Sequence, residues 1–334
     1  MTLRPGPRNL ITDVDGILVG QAADPEVRSG VTVVLPEHPV VASGDVRGGG
    51  PGTRETELLD PANMVGEVHA VVLSGGSAFG LDAATGAQLW LAERGRGLQL
   101  DGGPVPIVPA AILYDLANGG DKSRSRGLPY QRLARNACEE ASRDIELGTA
   151  GAAYGARSGD LKGGLGSASA VDGRGLQVGA LVAVNSRGST TIGDQPQFWA
   201  WPLEQGTEFG GLPPPQGRAP PEPPVRQTGF PGQHTTLAVV ATNALLGKAE
   251  ALRVAMMAQD GLARAIRPVH TPFDGDIVFS LATGRHRPDL DPVRLSERVG
   301  AIAADCLARA VARGIYLATA LPGMPAWRDR FGIT

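Results

Sequence analysis

The sequence predicts a layered α/β fold. Three observations carry the prediction: short apolar runs that read as strands buried on both faces, long amphipathic stretches between them, and glycine-dense turns where the two alternate. Of 334 residues 47 are glycine and only 4% are aromatic, so close backbone approaches are expected in place of a bulky aromatic core. By length the chain is about two domains or one large α/β unit.

Taken in order, GVTVVLP (30–36) reads as a buried strand and DVRGGGPGTRETELL (45–59) as a glycine-rich turn. VHAVVLSGGSAFGLDAATGAQLWLAERG (68–95) reads as strand, glycine turn and helix, with Leu81, Ala84, Leu89 and Leu91 near one face. Asp121 to Pro129 is polar and basic, an expected exposed loop. A helical run follows, with Leu133, Ala137, Ala141 and Ile145 at helical spacing. LKGGLGSASAV (161–171) and LQVGALVAVNS (176–186) are glycine-containing strands. The Pro-rich stretch at 212–224 has turn and polyproline character and cannot hold a packed element.

Beyond it the pattern becomes regular. TTLAVVAT (235–242) is a strand, and 248–266 is an amphipathic helix with Leu252, Ala255, Met256, Leu262 and Ile266 inward. DIVFSLAT (276–283) is a second strand. The stretch 291–318 is a long helix, with Asp291 as its cap and Pro292 at its first position. The 100 residues after His234 are too few and too apolar to form an obviously separate domain, so both pieces are expected to share one fold.

Composition excludes several functions. A net charge of −3 argues against nucleic-acid binding, which calls for a basic patch or stripe. No run of about 18 apolar residues offers a membrane span. The start, MTLRPGPRNL, lacks the apolar core of a secretory signal. Cys138 and Cys306 fall in helix-like stretches without metal-ligand spacing and read as reduced core residues of a cytoplasmic protein. The five histidines show no zinc spacing, so neither a metal nor another cofactor is expected. Of 31 basic residues only Lys122, Lys162 and Lys248 are lysines. A lysine within a glycine-rich segment is either chance or a chemical choice, because burial tunes its pKa and not that of arginine.

Thr235 is the residue with the most to say. A flexible segment, 212–234, runs abruptly into a β-branched strand, and a hydroxyl residue stands on the boundary. Cleavage between His234 and Thr235 would give Thr235 a nucleophilic hydroxyl and a free α-amine as general base, with an ordinary pKa of about 7.7–8. Otherwise Thr235 simply begins a buried strand. Asp274 and Asp276 in TPFDGDIVF (271–279) are either an acid/base or orienting pair at a strand mouth, or an ordinary polar turn. Asn185 and Tyr114 can each donate to a developing oxyanion or serve as structural polar groups. SGGSAFG (74–80) fits neither the phosphate-loop nor the nucleophile-elbow pattern and reads as a tight strand-to-helix turn.

Taken together these blocks resemble a known family. NLITDVDGILVG, GDVRGGGPGTRETELLDP, AVVLSGGSAFGLDAATG, IVPAAILYDL, GLGSAS, TTLAVVATNA and DGLARAIRPVHTPFDGD are similar to the self-processing L-aminopeptidase/D-amino-acid esterase-amidases. That family includes the β-peptidyl aminopeptidases and the nylon-oligomer (6-aminohexanoate-oligomer) endo-hydrolases. The resemblance covers nearly the whole chain. It implies a single fold over 1–334, a four-layered α/β/β/α sandwich resembling N-terminal-nucleophile hydrolases. It also implies self-cleavage into an α chain 1–234 and a β chain 235–334 that stay together, and a homo-tetramer of αβ units.

The resemblance puts the nucleophile at Thr235 and the other active-site positions at Tyr114, Lys162, Asn185, Asp274 and Asp276. Threonine with two aspartates resembles the nylon-oligomer branch, whereas the peptide-type members carry serine and a Ser-x-Glu pair. His234 departs from that branch, which has asparagine there. The implied activity is hydrolysis of amide bonds in small peptides or linear amide oligomers. The alternatives are an aminopeptidase/D-amino-acid amidase-esterase, an acyltransferase of the ornithine acetyltransferase type, and a non-cleaving protein that kept the fold.

Overall fold

The computed structural model describes residues 3–123, 127–220 and 233–333. Most of the Pro-rich stretch beyond residue 220, and the centre of the 121–129 loop, therefore lie outside the described residues. Residues 212–220 are largely exposed, and Gln233 and His234 turn inward to the strand that follows.

Two sheets face one another. The first orders its strands Ile17–Asp24, Ser29–Pro36, Val71–Ser74, Ala110–Ile112 and Thr53–Arg54. The second orders them Gly164–Val171, Gln177–Asn185, Thr235–Ala244, Ile277–His286, Val40–Val46 and Glu67–Val68. Each sheet holds one parallel pair among antiparallel neighbours, and in the second it is Thr235–Ala244 beside Ile277–His286. Strands from both sides of the Pro-rich stretch thus interleave in one sheet.

Helices α1 (Ala83–Ala92) and α2 (Tyr130–Glu139) cover the outer face of the first sheet. Helices α3 (Lys248–Ala265) and α4 (Pro292–Tyr316) cover the outer face of the second, and α5 (Trp327–Phe331) follows near the chain end. The result is four layers, α/β/β/α. Alternation along each strand explains the packing, because successive side chains point to opposite faces. Leu237, Val239 and Ala241 meet Val34, Val71 and Leu73 between the sheets, while Ala238 and Val240 turn the other way onto α3 and α4.

Several expectations shift at the edges. In α1 the buried face is Ala84, Ala87, Trp90 and Leu91, whereas Leu89 points to solvent. Helix α2 stops at Glu139 because Ser142 pairs its backbone with Val19, in both directions, at 3.0 and 3.1 Å. Ala141 and Ile145 pack from outside it. In α3 the inward residues are Ala251, Val254, Ala255, Ala258 and Leu262, with Leu252 and Met256 only half-buried. Helix α4 begins as its sequence states: Asp291 accepts from the Arg294 N–H and Pro292 follows it. Leu161–Lys162 is not part of the strand beginning at Gly164 but pairs with Arg157–Ser158 in a separate short ladder. Among the described residues no helix is long and apolar enough to cross a membrane.

Candidate active site

The register of the second sheet brings the candidate residues together. Asn185 lies opposite Thr235 on the antiparallel neighbour. On the other side Leu237 pairs with Ile277, so Asp274, Gly275 and Asp276 lead into the parallel strand level with His234 and Thr235. Thr235, Asn185, Asp274, Asp276 and His234 are all buried.

The His234 carbonyl oxygen is held twice. The Thr235 hydroxyl donates to it at 2.6 Å, and the Gly275 N–H donates to it at 2.8 Å. A side-chain hydroxyl and a backbone N–H therefore share the carbonyl of the peptide bond that ends at Thr235. Gly275 leaves no room for a side chain without a shift: a Cβ would stand 2.7 Å from both Thr235 Oγ1 and the Gly50 carbonyl oxygen. The glycine-rich turn closes the same site from the other side. Gly50 N–H donates to the Asp274 carbonyl at 2.8 Å, and a Cβ on Gly48 would lie 2.3 Å from Asp276 N.

The two carboxylates are fully engaged. Asp274 accepts from the Arg187 N–H at 3.2 Å, and from the Thr271 N–H and hydroxyl at 2.9 and 2.5 Å. Asp276 accepts from the Thr236 N–H at 2.7 Å through one oxygen, and through the other from the His270 N–H at 3.1 Å. That second oxygen also meets His270 Nδ1 at 2.9 Å. Burial, and then the neighbouring Asp276 charge, hold the Asp274 carboxyl above the usual carboxylate range.

Asn185 is oriented by Arg157, whose N–H donates to its Oδ1 at 2.9 Å. Its Nδ2 then faces the carbonyls of Tyr114 and Gln233 at 3.3 and 3.4 Å, one residue upstream of the His234 carbonyl. The structure thus brings Tyr114 to the group through its backbone carbonyl. Lys162 is tied in indirectly: it pairs with Arg157 in the short ladder, and its Nζ donates to the carbonyls of Ala153 and Gly163 at 2.9 and 2.8 Å. Burial, reinforced by the Arg157 charge and opposed by Asp115, brings this lysine down to about 7.

The other two lysines bind backbone carbonyls away from Thr235. Lys122 binds the Val27 carbonyl, and Lys248 gathers the carbonyls of Leu58, Asp60, Asn63 and Val65. Cys138 and Cys306 are buried thiols pushed up to about 12 by burial. Among the described residues no group of three or more His, Cys, Asp or Glu side chains is placed to hold a metal ion.

Sequence reasoning missed Gly275, His270, Thr271 and Arg187. Gly275 was visible between the two aspartates, but its N–H gains meaning only from pairing with His234. His270 shows one unusual feature, a left-handed backbone (φ 55°), which places its N–H and ring on the same Asp276 oxygen.

Residues 9–327 match the model of Peptidase family S58. An uncharacterized aminopeptidase of Mycobacterium tuberculosis is 45% identical over 344 residues, covering 97% of this chain and 98% of that protein. The 6-aminohexanoate-oligomer endohydrolase of a Kocuria species is 28% identical over 306 residues, covering 83% and 76% respectively. The solved L-aminopeptidase D-Ala-esterase/amidase of Ochrobactrum anthropi, described as a variant of the Ntn-hydrolase fold, superposes with a TM-score of 0.71 at 23% identity over 99% of this chain and 93% of that one. The four layers are those of that fold. The chain belongs to peptidase family S58 and is a hydrolase of amide bonds.

Proposed function

We propose that the protein is a self-processing N-terminal-threonine amidohydrolase. The observation that carries this reading is the His234 carbonyl, contacted at once by the Thr235 hydroxyl and the Gly275 N–H. Thr235 Oγ1 attacks the His234 carbonyl carbon while Gly275 N–H stabilises the oxygen as it gains charge. The C–N bond breaks, the threonine nitrogen takes a proton, and the acyl group passes to oxygen as an ester. Water hydrolyses that ester and releases a chain ending at His234. The products are residues 1–234 and 235–334, the smaller having 334 − 234 = 100 residues. They remain associated because the new amino-terminal strand is paired on both sides, by Gln177–Asn185 of one product and Ile277–His286 of the other.

In turnover the Thr235 hydroxyl attacks an amide substrate and its α-amine carries the proton to the leaving nitrogen. Once residues 233–234 leave the mouth, Asn185 Nδ2 is freed to meet the substrate carbonyl beside Gly275 N–H. Asp274 and Asp276 orient the new amine from the adjoining strand. Lys162, held near neutrality by burial, tunes the field through the Arg157–Asn185 link. The substrates are small peptides or linear amides, including 6-aminohexanoate oligomers, and the functional unit is a homo-tetramer of cleaved αβ pairs.

The test is intact mass before and after incubation, followed by hydrolysis of amino-acid amides and aminohexanoate oligomers. A Thr235→Ala protein that stays one chain and turns over nothing agrees with the reading. One that still cuts and still hydrolyses refutes it.

A further inference from the structure

Arg187 stands two residues past Asn185, at the mouth of the site. Its N–H is anchored on Asp274, the residue whose backbone bridges His234. Its backbone is thereby tied to Asp274, which pairs with His234, the residue on the acyl side of the bond. Its guanidinium carbon sits 4.2 Å from the centre of the Phe273 ring, a stacking contact that fixes the plane of the charge.

Among the described residues no carboxylate forms an ion pair with the held cation. Arg187 Nη1 is buried and has no hydrogen-bond partner among the described residues. The two nearby carboxylates are occupied by Thr271, Thr236, His270 and the Arg187 backbone itself. Neither forms an ion pair with the guanidinium among the described residues. A desolvated guanidinium nitrogen without an acceptor is costly, and a planar fork matches the two oxygens of a carboxylate.

We propose that Arg187 is a specificity residue that binds a carboxylate on the acyl residue of the substrate, making aspartyl and glutamyl amides the preferred class. This rests on the hydrolase reading above and adds the substrate chemistry to it. A carboxylate could equally come from the leaving residue, as in a free dipeptide. The test therefore carries both arms.

Initial rates on the matured protein are compared for glutamyl and glutaminyl p-nitroanilides, and for leucyl-alanine and its C-terminal amide. The expected result is a glutamyl preference in kcat/KM of about tenfold or more, abolished in Arg187→Gln chiefly through KM. No glutamyl preference, a preference that survives Arg187→Gln, or a discrimination that follows the leaving-side carboxylate instead would overturn the assignment. Titration calorimetry with glutamate and glutamine separates this from the hydrolase reading. If the chain proves uncut and inactive, that reading fails by itself. Glutamate binding to the matured protein that is lost in Arg187→Gln supports the assignment independently of turnover, and absence of glutamate binding to the matured protein overturns it.

Discussion

Replacing Gly275 with alanine probes the part of the site that no side chain supplies. The added Cβ would stand 2.7 Å from Thr235 Oγ1 and 2.7 Å from the Gly50 carbonyl oxygen, against an ordinary contact of 3.4 Å. At least 3.4 − 2.7 = 0.7 Å must be made up by moving the threonine hydroxyl, the 274–276 backbone or the 48–50 turn. A displacement of that order at a reacting group costs about 10²-fold, and loss of an oxyanion donor about 10²–10³-fold. Gly275→Ala is therefore expected to slow self-cleavage by about 10²-fold or more. Overpacking should also cost about 1–3 kcal/mol of stability, leaving the fold in place. The assay is the fraction of cut chain on denaturing gels over time, with circular dichroism confirming the fold. Cleavage at the wild-type rate in a folded Gly275→Ala protein would refute the role given to this backbone.

Two further perturbations follow from the buried charges. The Lys162 value near 7 in the folded chain lies below its unfolded value of 10.5, so between the two the unfolded chain binds more protons and stability rises with pH. The full cost of the buried charge is present below about 7, and its removal across that window is worth roughly 5 kcal/mol at about 1.4 kcal/mol per pH unit. Lys162→Met should lose this rise in a series of urea titrations, and parallel profiles for the two proteins would contradict the burial argument. Asp276→Asn removes the charged acceptor shared by the His270 ring and backbone while keeping one oxygen for the Thr236 N–H. It should cost about 1–3 kcal/mol by calorimetry and impair cutting, and an unchanged melting temperature with normal cutting would count against that network.

Much of this was legible in the sequence, for identifiable reasons. Strands such as 235–244 are apolar on both faces because each face meets its own layer, so continuous runs marked them correctly. Asp291 and Pro292 state a helix start locally, and α4 begins there. The misses come from long-range partners. Ser142 finds Val19 and ends α2 early, and Leu89 is turned out because small alanines and Trp90 fill the face against the sheet.

The site divides the same way. Thr235, Asp274 and Asp276 were visible as residue types at a strand boundary. Gly275 N–H on His234, and the guanidinium of Arg187 on Phe273, depend on which strand ends meet, and no spacing along the chain encodes that.

The central claim is that the bond between His234 and Thr235 is cut by Thr235 itself. Intact mass of the purified protein, wild type beside Thr235→Ala, tests it most directly. The account predicts two species for the wild type, of 234 and 100 residues, the smaller beginning at Thr235, and a single 334-residue chain for the variant. A wild-type chain that stays whole through prolonged incubation, or a variant that is cut at the same bond, would contradict it.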